Sequence, residues 1–185
     1  MYIDFHTHAF ADSIAHKAIS RLESVSGLKA YTDGTMEELK EILKEDNIDK
    51  AVYLPIATKP SQQKAINDIS AEFNSDSLIC FGSIHPDSTD AEDELERIKA
   101  LGLKGIKFHP DYQDFFVEDP KMFHIYKKCE ELGLIVVFHA GFDPLSPDVI
   151  HCLPEPSAKI AEAFPDLRIV LAHLGGMYRF DDVYK

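Results

Sequence analysis

The residues best suited to chemistry are histidines, because imidazole binds divalent metals and moves protons near neutral pH. The stretch Asp4-Phe5-His6-Thr7-His8 closes an apolar run that starts at Met1. On a strand, side chains alternate with period two, so His6 and His8 point the same way and can hold one ion between them. His85, His109, His139 and His173 also fall at or just past the ends of apolar runs, whereas His16, His124 and His151 do not. A single histidine on an apolar strand is most often a hydrogen-bonded core residue. Imidazoles gathered on one rim suit zinc, with Zn–N distances of about 2.0–2.1 Å.

These positions depend on short apolar runs rich in Val, Ile and Phe, at 2–8, 50–56, 78–84, 105–109, 134–139 and 168–173. Between them lie helical patterns at 13–24, at 35–45 with a Thr35-x-x-Glu38 capping box, at 61–73 and at 88–101 before Gly102. Another helix is opened by Asp119-Pro120 and stopped by Gly133, and the last spans 156–164 before Pro165. Alternation of this kind marks parallel βα units of the α/β class, whose sites sit at the C-terminal ends of the strands. No repeat, low-complexity tract or linker interrupts it, so one domain over 1–185 is expected.

Composition narrows the partners. The 45% hydrophobic content suits a globular chain with a sizeable core. A net charge of -13, from 32 acidic and 19 basic residues without a basic patch, disfavours nucleic acid and anionic membranes. The first strand begins at Tyr2, leaving no space for a signal segment, and no long apolar run is present, so a soluble cytoplasmic protein is expected. Cys80, Cys129 and Cys152 are odd in number and lack C-x-x-C spacing, which points to buried reduced thiols.

Four motifs together resemble the amidohydrolase superfamily: Asp4-Phe5-His6-Thr7-His8, Gly105-Ile106-Lys107-Phe108-His109-Pro110, Phe138-His139-Ala140-Gly141 and Ala172-His173-Leu174-Gly175-Gly176. The chain is most similar to the branch of aminocarboxymuconate-semialdehyde decarboxylase and related metal-dependent hydrolases. That resemblance implies a TIM-type (β/α)8 barrel, of which this chain carries the first six βα units. It further implies His6, His8 and His139 as ligands of a divalent metal, zinc first and manganese second. His173 would stand beside the reacting water or substrate as acid, base or further ligand. The implied activity is hydrolysis or non-oxidative decarboxylation of a small molecule.

Parity puts Lys107 and His109 on one side of their strand. Lys107 is read first as a contact to an anionic substrate, then as a salt-bridge partner, then as a metal-bridging carbamate. His109 and His85, each followed by Pro, are expected in the pocket wall, with loop capping as the equal alternative. The family's aspartate at the end of an eighth strand has no counterpart among these runs, and Asp181 and Asp182 do not replace it. The expectation is therefore an incomplete barrel with open edges, a fragment of a longer enzyme that two further βα units would complete, or a chain that associates with another copy through those edges. A polymerase-and-histidinol-phosphatase-like metallophosphoesterase is the rival enzyme class. A TatD-like nuclease is disfavoured by Lys107 and by the acidic charge, and a non-catalytic remnant is the alternative of a different kind.

Overall fold

The computed structural model describes residues 1–185. Six strands follow in order: β1 (Ile3–Thr7), β2 (Lys50–Tyr53), β3 (Leu78–Cys80), β4 (Gly105–Phe108), β5 (Ile135–Phe138) and β6 (Arg168–Leu171). They form two parallel three-stranded sheets, β1-β2-β3 and β4-β5-β6. A single bridge between Gly82 and Ile106 joins the sheets, with Gly82 N–H donating to Gly105 O at 2.8 Å and Lys107 N–H to Gly82 O at 2.9 Å. The strands thus run in sequence order as a partial α/β barrel.

Each strand ends before its apolar run does, because the backbone leaves the ladder to form the loops above it. Side chains take over some of its hydrogen bonds there. Ser83 Oγ accepts from Ala57 N–H at 3.0 Å and donates to Lys107 O at 2.9 Å. Gln113 Nε2 donates to Ala57 O and Ile84 O, both at 2.8 Å, while its Oε1 accepts from His109 N–H at 2.9 Å. Asn67 clips Ser83 at both backbone atoms and donates to Glu94. These buried clips reinforce the seam where the β3–β4 ladder is only one bridge long.

The main helices are α1 (Asp12–Ser26), α2 (Met36–Glu45), α3 (Gln63–Phe73), α4 (Ala91–Ala100), α5 (Pro110–Gln113), α6 (Phe123–Leu132), α7 (Pro154–Ala163) and α8 (Phe180–Val183). Thr35 Oγ1 accepts from Glu38 N–H at 3.2 Å, as the capping box predicts. The reciprocal arm differs, since the Glu38 carboxylate accepts from the Thr32 hydroxyl and Asp33 N–H. α7 begins two residues before the expected 156, with Pro154 occupying the first turn where no N–H is needed. The four-residue α5 is too short for a periodic signal and was not expected.

Period-two alternation divides the hydrophobic core. Ile106, Phe108, Val136 and Phe138 join the large cluster with Leu95, Ile98, Ile125 and Tyr126 of α4 and α6. Val52, Leu54, Phe81 and Val137 form a smaller one. Lys107 lies opposite Val137 in register, so it shares the inner side with the smaller cluster. All three cysteines are buried and free, as their number and spacing suggested.

Gly105 at the foot of β4 admits no side chain, because a Cβ there would lie 2.2 Å from Ile135 O and 2.5 Å from the Phe81 ring. Gly105→Ala is expected to lower stability by about 1–3 kcal/mol through overpacking. An unchanged urea midpoint would show that this contact does not fix the β4–β5 spacing.

Candidate metal centre

Five imidazoles form a continuous chain across the inner rim. His8 neighbours His6, with ring centroids 4.8 Å apart; His6 neighbours His173 at 5.0 Å; His173 neighbours His139 at 4.7 Å; and His139 stacks on His109 at 4.1 Å. The parity argument for His6 and His8 holds, since their Nε2 atoms are 2.9 Å apart. The His8 Nδ1–H donates to Leu54 O at 2.8 Å, which leaves the Nε2 lone pair free. A backbone carbonyl behind an imidazole fixes its tautomer in this way.

His139 Nδ1 lies 3.1 Å from His173 Nε2. Two imidazole nitrogens on one zinc, at about 2.0–2.1 Å each, are separated by roughly 3.0–3.4 Å for ordinary ligand angles. The His139–His173 pair falls within that range and the His6–His8 pair, at 2.9 Å, just below it; the same spacing accommodates an N–H···N bond in the metal-free protein. The donor set therefore fits a divalent metal. His6, His8 and His139 nevertheless do not form one compact trio. His173 stands between His6 and His139, and a compact three-donor group is instead formed by His109, His139 and Asp143, whose ligand atoms lie within 4.8 Å of one another.

His173 is reached by an unusual backbone. His173 and Leu174 have φ of 58° and 56°, a left-handed conformation that non-glycine residues rarely adopt outside functional sites. The loop after β6 is pinned to the loop after β5, with Met177 N–H donating to Ala140 O at 2.9 Å and Phe142 N–H to Met177 O at 3.0 Å. This approach requires Gly141, with φ of 85°, since a Cβ would sit 2.0 Å from Met177 N. Of the glycines around the site, Gly141 makes the closest backbone approach.

Burial dominates the electrostatics. It pushes His6 and His139 down to about 3, with Lys107 and neighbouring imidazoles adding to the effect. His109 and His173 are lowered for the same leading reason. These rings are neutral at pH 7, the form that binds metal. Lys107 is completely buried, its Nζ has no hydrogen-bond partner, and burial brings it down to about 7. It faces the imidazoles but no carboxylate, which rules out the salt-bridge reading in this arrangement.

His85 is not part of the cluster. Its Nδ1 accepts from Asp87 N–H at 3.2 Å, and its backbone N–H donates to the Gln63 side chain, so it caps a loop. His109 is at the cluster, stacked on Tyr112 with centroids 3.6 Å apart. The sequence reading missed Asp143, which accepts from Leu145 N–H at 2.8 Å and from the Tyr112 hydroxyl at 3.2 Å. Its only sequence signal is its place four residues after His139 in the loop that follows β5. It also missed Asp111 and His151, whose carboxylate and Nδ1 meet at 3.0 Å. Asp182, by contrast, pairs with Arg179 and Lys185 away from the site.

The charge on Lys107 is lost in the folded chain near pH 7 but near 10.5 in the unfolded chain. The unfolded state thus binds more protons between those values, and stability gains as pH rises through that window. Lys107→Met in chelator-treated protein is expected to stabilise by about 2 kcal/mol or more at pH 6, with the difference shrinking toward pH 10. Denaturant midpoints at the two pH values test this; a constant difference would mean that the amine is solvated.

Comparison with known proteins extends the reading. Residues 3–184 match the model of a family described as amidohydrolase. An uncharacterised TIM-barrel protein from Bordetella bronchiseptica has 19% identity and a TM-score of 0.70, covering 92% of this chain and 66% of its own. A manganese-bound 5-carboxyvanillate decarboxylase from Novosphingobium aromaticivorans has 17% identity and a TM-score of 0.67, with 95% and 66% covered. A probable 2-pyrone-4,6-dicarboxylic acid hydrolase from Acinetobacter baumannii, with citric acid bound, has 18% identity and a TM-score of 0.61, with 94% and 58% covered. Among curated proteins none matches. The chain thus spans about two thirds of the length of the solved barrels it resembles. No helix is long and apolar enough to cross a membrane. The motifs, the parallel strand order and the match over nearly every residue agree that this chain belongs to the amidohydrolase family.

Proposed function

We propose that this chain carries the metal-binding part of a metal-dependent hydrolase or non-oxidative decarboxylase acting on a small anionic molecule. One observation carries the reading. The Nε2 atoms of His6 and His8 are 2.9 Å apart, with His8 held by Leu54 O so that its free nitrogen faces inward. His6, His8 and His139 are the proposed ligands, with His139 contributing Nδ1. Zinc suits three imidazoles, and the manganese in the Novosphingobium decarboxylase makes that ion the alternative. When bound, a divalent ion supplies Lewis acidity, polarising a carbonyl or acidifying water.

The chain's own residues do the rest. His173 lies beside His139 and His6, is neutral, and is placed to take a proton from water or to give one to the carbon that loses carbon dioxide or to a leaving heteroatom. Lys107 lies beneath the rings without a counterion, so a substrate carboxylate reaching it would complete the missing ion pair. The names of the Novosphingobium and Acinetobacter relatives both describe carboxylates, which favours that substrate class. His109 and Tyr112 supply a flat stacked wall. Cytoplasmic residence and association between copies remain part of the proposal.

His6→Ala is expected to weaken zinc binding by about 100-fold or more, measured by competition with a chromophoric chelator. His173→Ala should keep that affinity while abolishing turnover of a panel of small carboxylates, followed as carbon dioxide release or hydrolysis. Unchanged affinity in His6→Ala would overturn the ligand assignment.

A further inference from the structure

We propose a second divalent-cation position, formed by His109 Nε2, His139 Nε2 and Asp143 Oδ2. Asp143 Oδ2 lies 3.5 Å from His109 Nε2 and 3.8 Å from His139 Nε2, and the two rings stack within 13° of parallel. All three residues are buried. Two imidazoles and one carboxylate form a donor set suited to zinc or manganese. This position uses neither His6 nor His8.

The charge balance points to the same place. The side chains of Asp111 and Asp143 are 1% and 8% exposed, and their ion-pair partners are histidines alone: His109 and His151 for Asp111, His109 and His139 for Asp143. No lysine or arginine meets either carboxylate within salt-bridge distance. Two buried carboxyl groups thus meet only imidazoles, with no lysine or arginine beside them. Buried charges are normally paired or bound to metal.

A second observation lies behind one of the three ligands, at atoms that the ion would not touch. His109 Nδ1 and Asp111 Oδ2 are both buried without a hydrogen-bond partner, and they face each other at 3.9 Å. A cation on His109 Nε2 fixes the proton on Nδ1 and makes it a stronger donor, so a small closure forms the carboxylate–histidine–metal arrangement found behind metal ligands. His139 Nε2 lies 3.4 Å from Phe142 O, a contact that the ion would replace; with Nε2 on the ion, Nδ1–H would donate to His173 Nε2 across the observed 3.1 Å. A neutral imidazole has one lone pair, so the two positions compete for His139 and are alternatives in occupancy.

Equilibrium dialysis against zinc alone and manganese alone, with metal quantified per chain, tests the proposal. The His6→Ala/His8→Ala double variant should still bind about one ion, more weakly than the unaltered chain. Adding Asp143→Asn should lower that residual affinity at least 10-fold, and adding Asp111→Asn instead should lower it about 10- to 100-fold, as expected for a partner behind a ligand. Cobalt loaded into the double variant should give a visible spectrum that His109→Gln shifts, with circular dichroism confirming the fold. Absence of binding in the double variant, or binding indifferent to both Asp143→Asn and His109→Gln, would overturn the second position. Asp143→Asn alone should leave binding through His6 and His8, so failure of this proposal is distinguishable from failure of the first ligand assignment.

Discussion

The site depends on a seam. Two three-stranded sheets meet through one backbone bridge at Gly82 and Ile106, yet they carry complementary halves of the imidazole chain. His6 and His8 belong to the first sheet, while His109, His139 and His173 belong to the second. Ser83, Gln113 and Asn67 compensate for the short ladder by satisfying backbone groups on both sides of it. Buried polar groups stabilise only when their partners are present, so these clips favour one relative placement of the sheets. The six strands are thus held in an arc that lets the first and last meet through His6 and His173.

The seam also explains why Lys107 can remain without a partner. Its main chain belongs to the bridge, accepting from Ser83 Oγ and donating to Gly82 O. Register then commits its side chain to the inner side opposite Val137. An ammonium there is disfavoured by desolvation, and burial likewise keeps the surrounding imidazoles neutral, with Lys107 adding to the effect. Under the proposed function the same unpartnered amine would receive a substrate carboxylate. Stability and that proposed role are opposed at this residue.

Much of this was legible in the sequence. Apolar runs with Gly and Pro at their boundaries placed six strands and most helices, because parallel strands buried on both sides read as continuous hydrophobic segments. Period two placed His6 beside His8 and Lys107 on the side of His109. The short α5, Gly141 and Asp143 were not foreseen, since each depends on how loops from different βα units meet. His85 shows the opposite limit. Its position after an apolar run resembled that of the other histidines, but the strand stopped early and the side chain turned to cap its own loop. Asp111 and His151 lie far apart in the chain, and no local pattern announces their pairing.

The imidazole chain joins residues far apart in the sequence, and this has a kinetic consequence. Every ladder is parallel and each joins segments well separated in sequence, a topology associated with slow folding. Domains emerge from the ribosome N-terminal end first, so His6 and His8 are made long before His173 exists to meet them. The nascent chain must therefore carry a potential metal-binding pair, unshielded, until the segment that holds His173 has been made. Closure of the rim between His6 and His173 waits on that segment, whose Met177 pairs with Gly141.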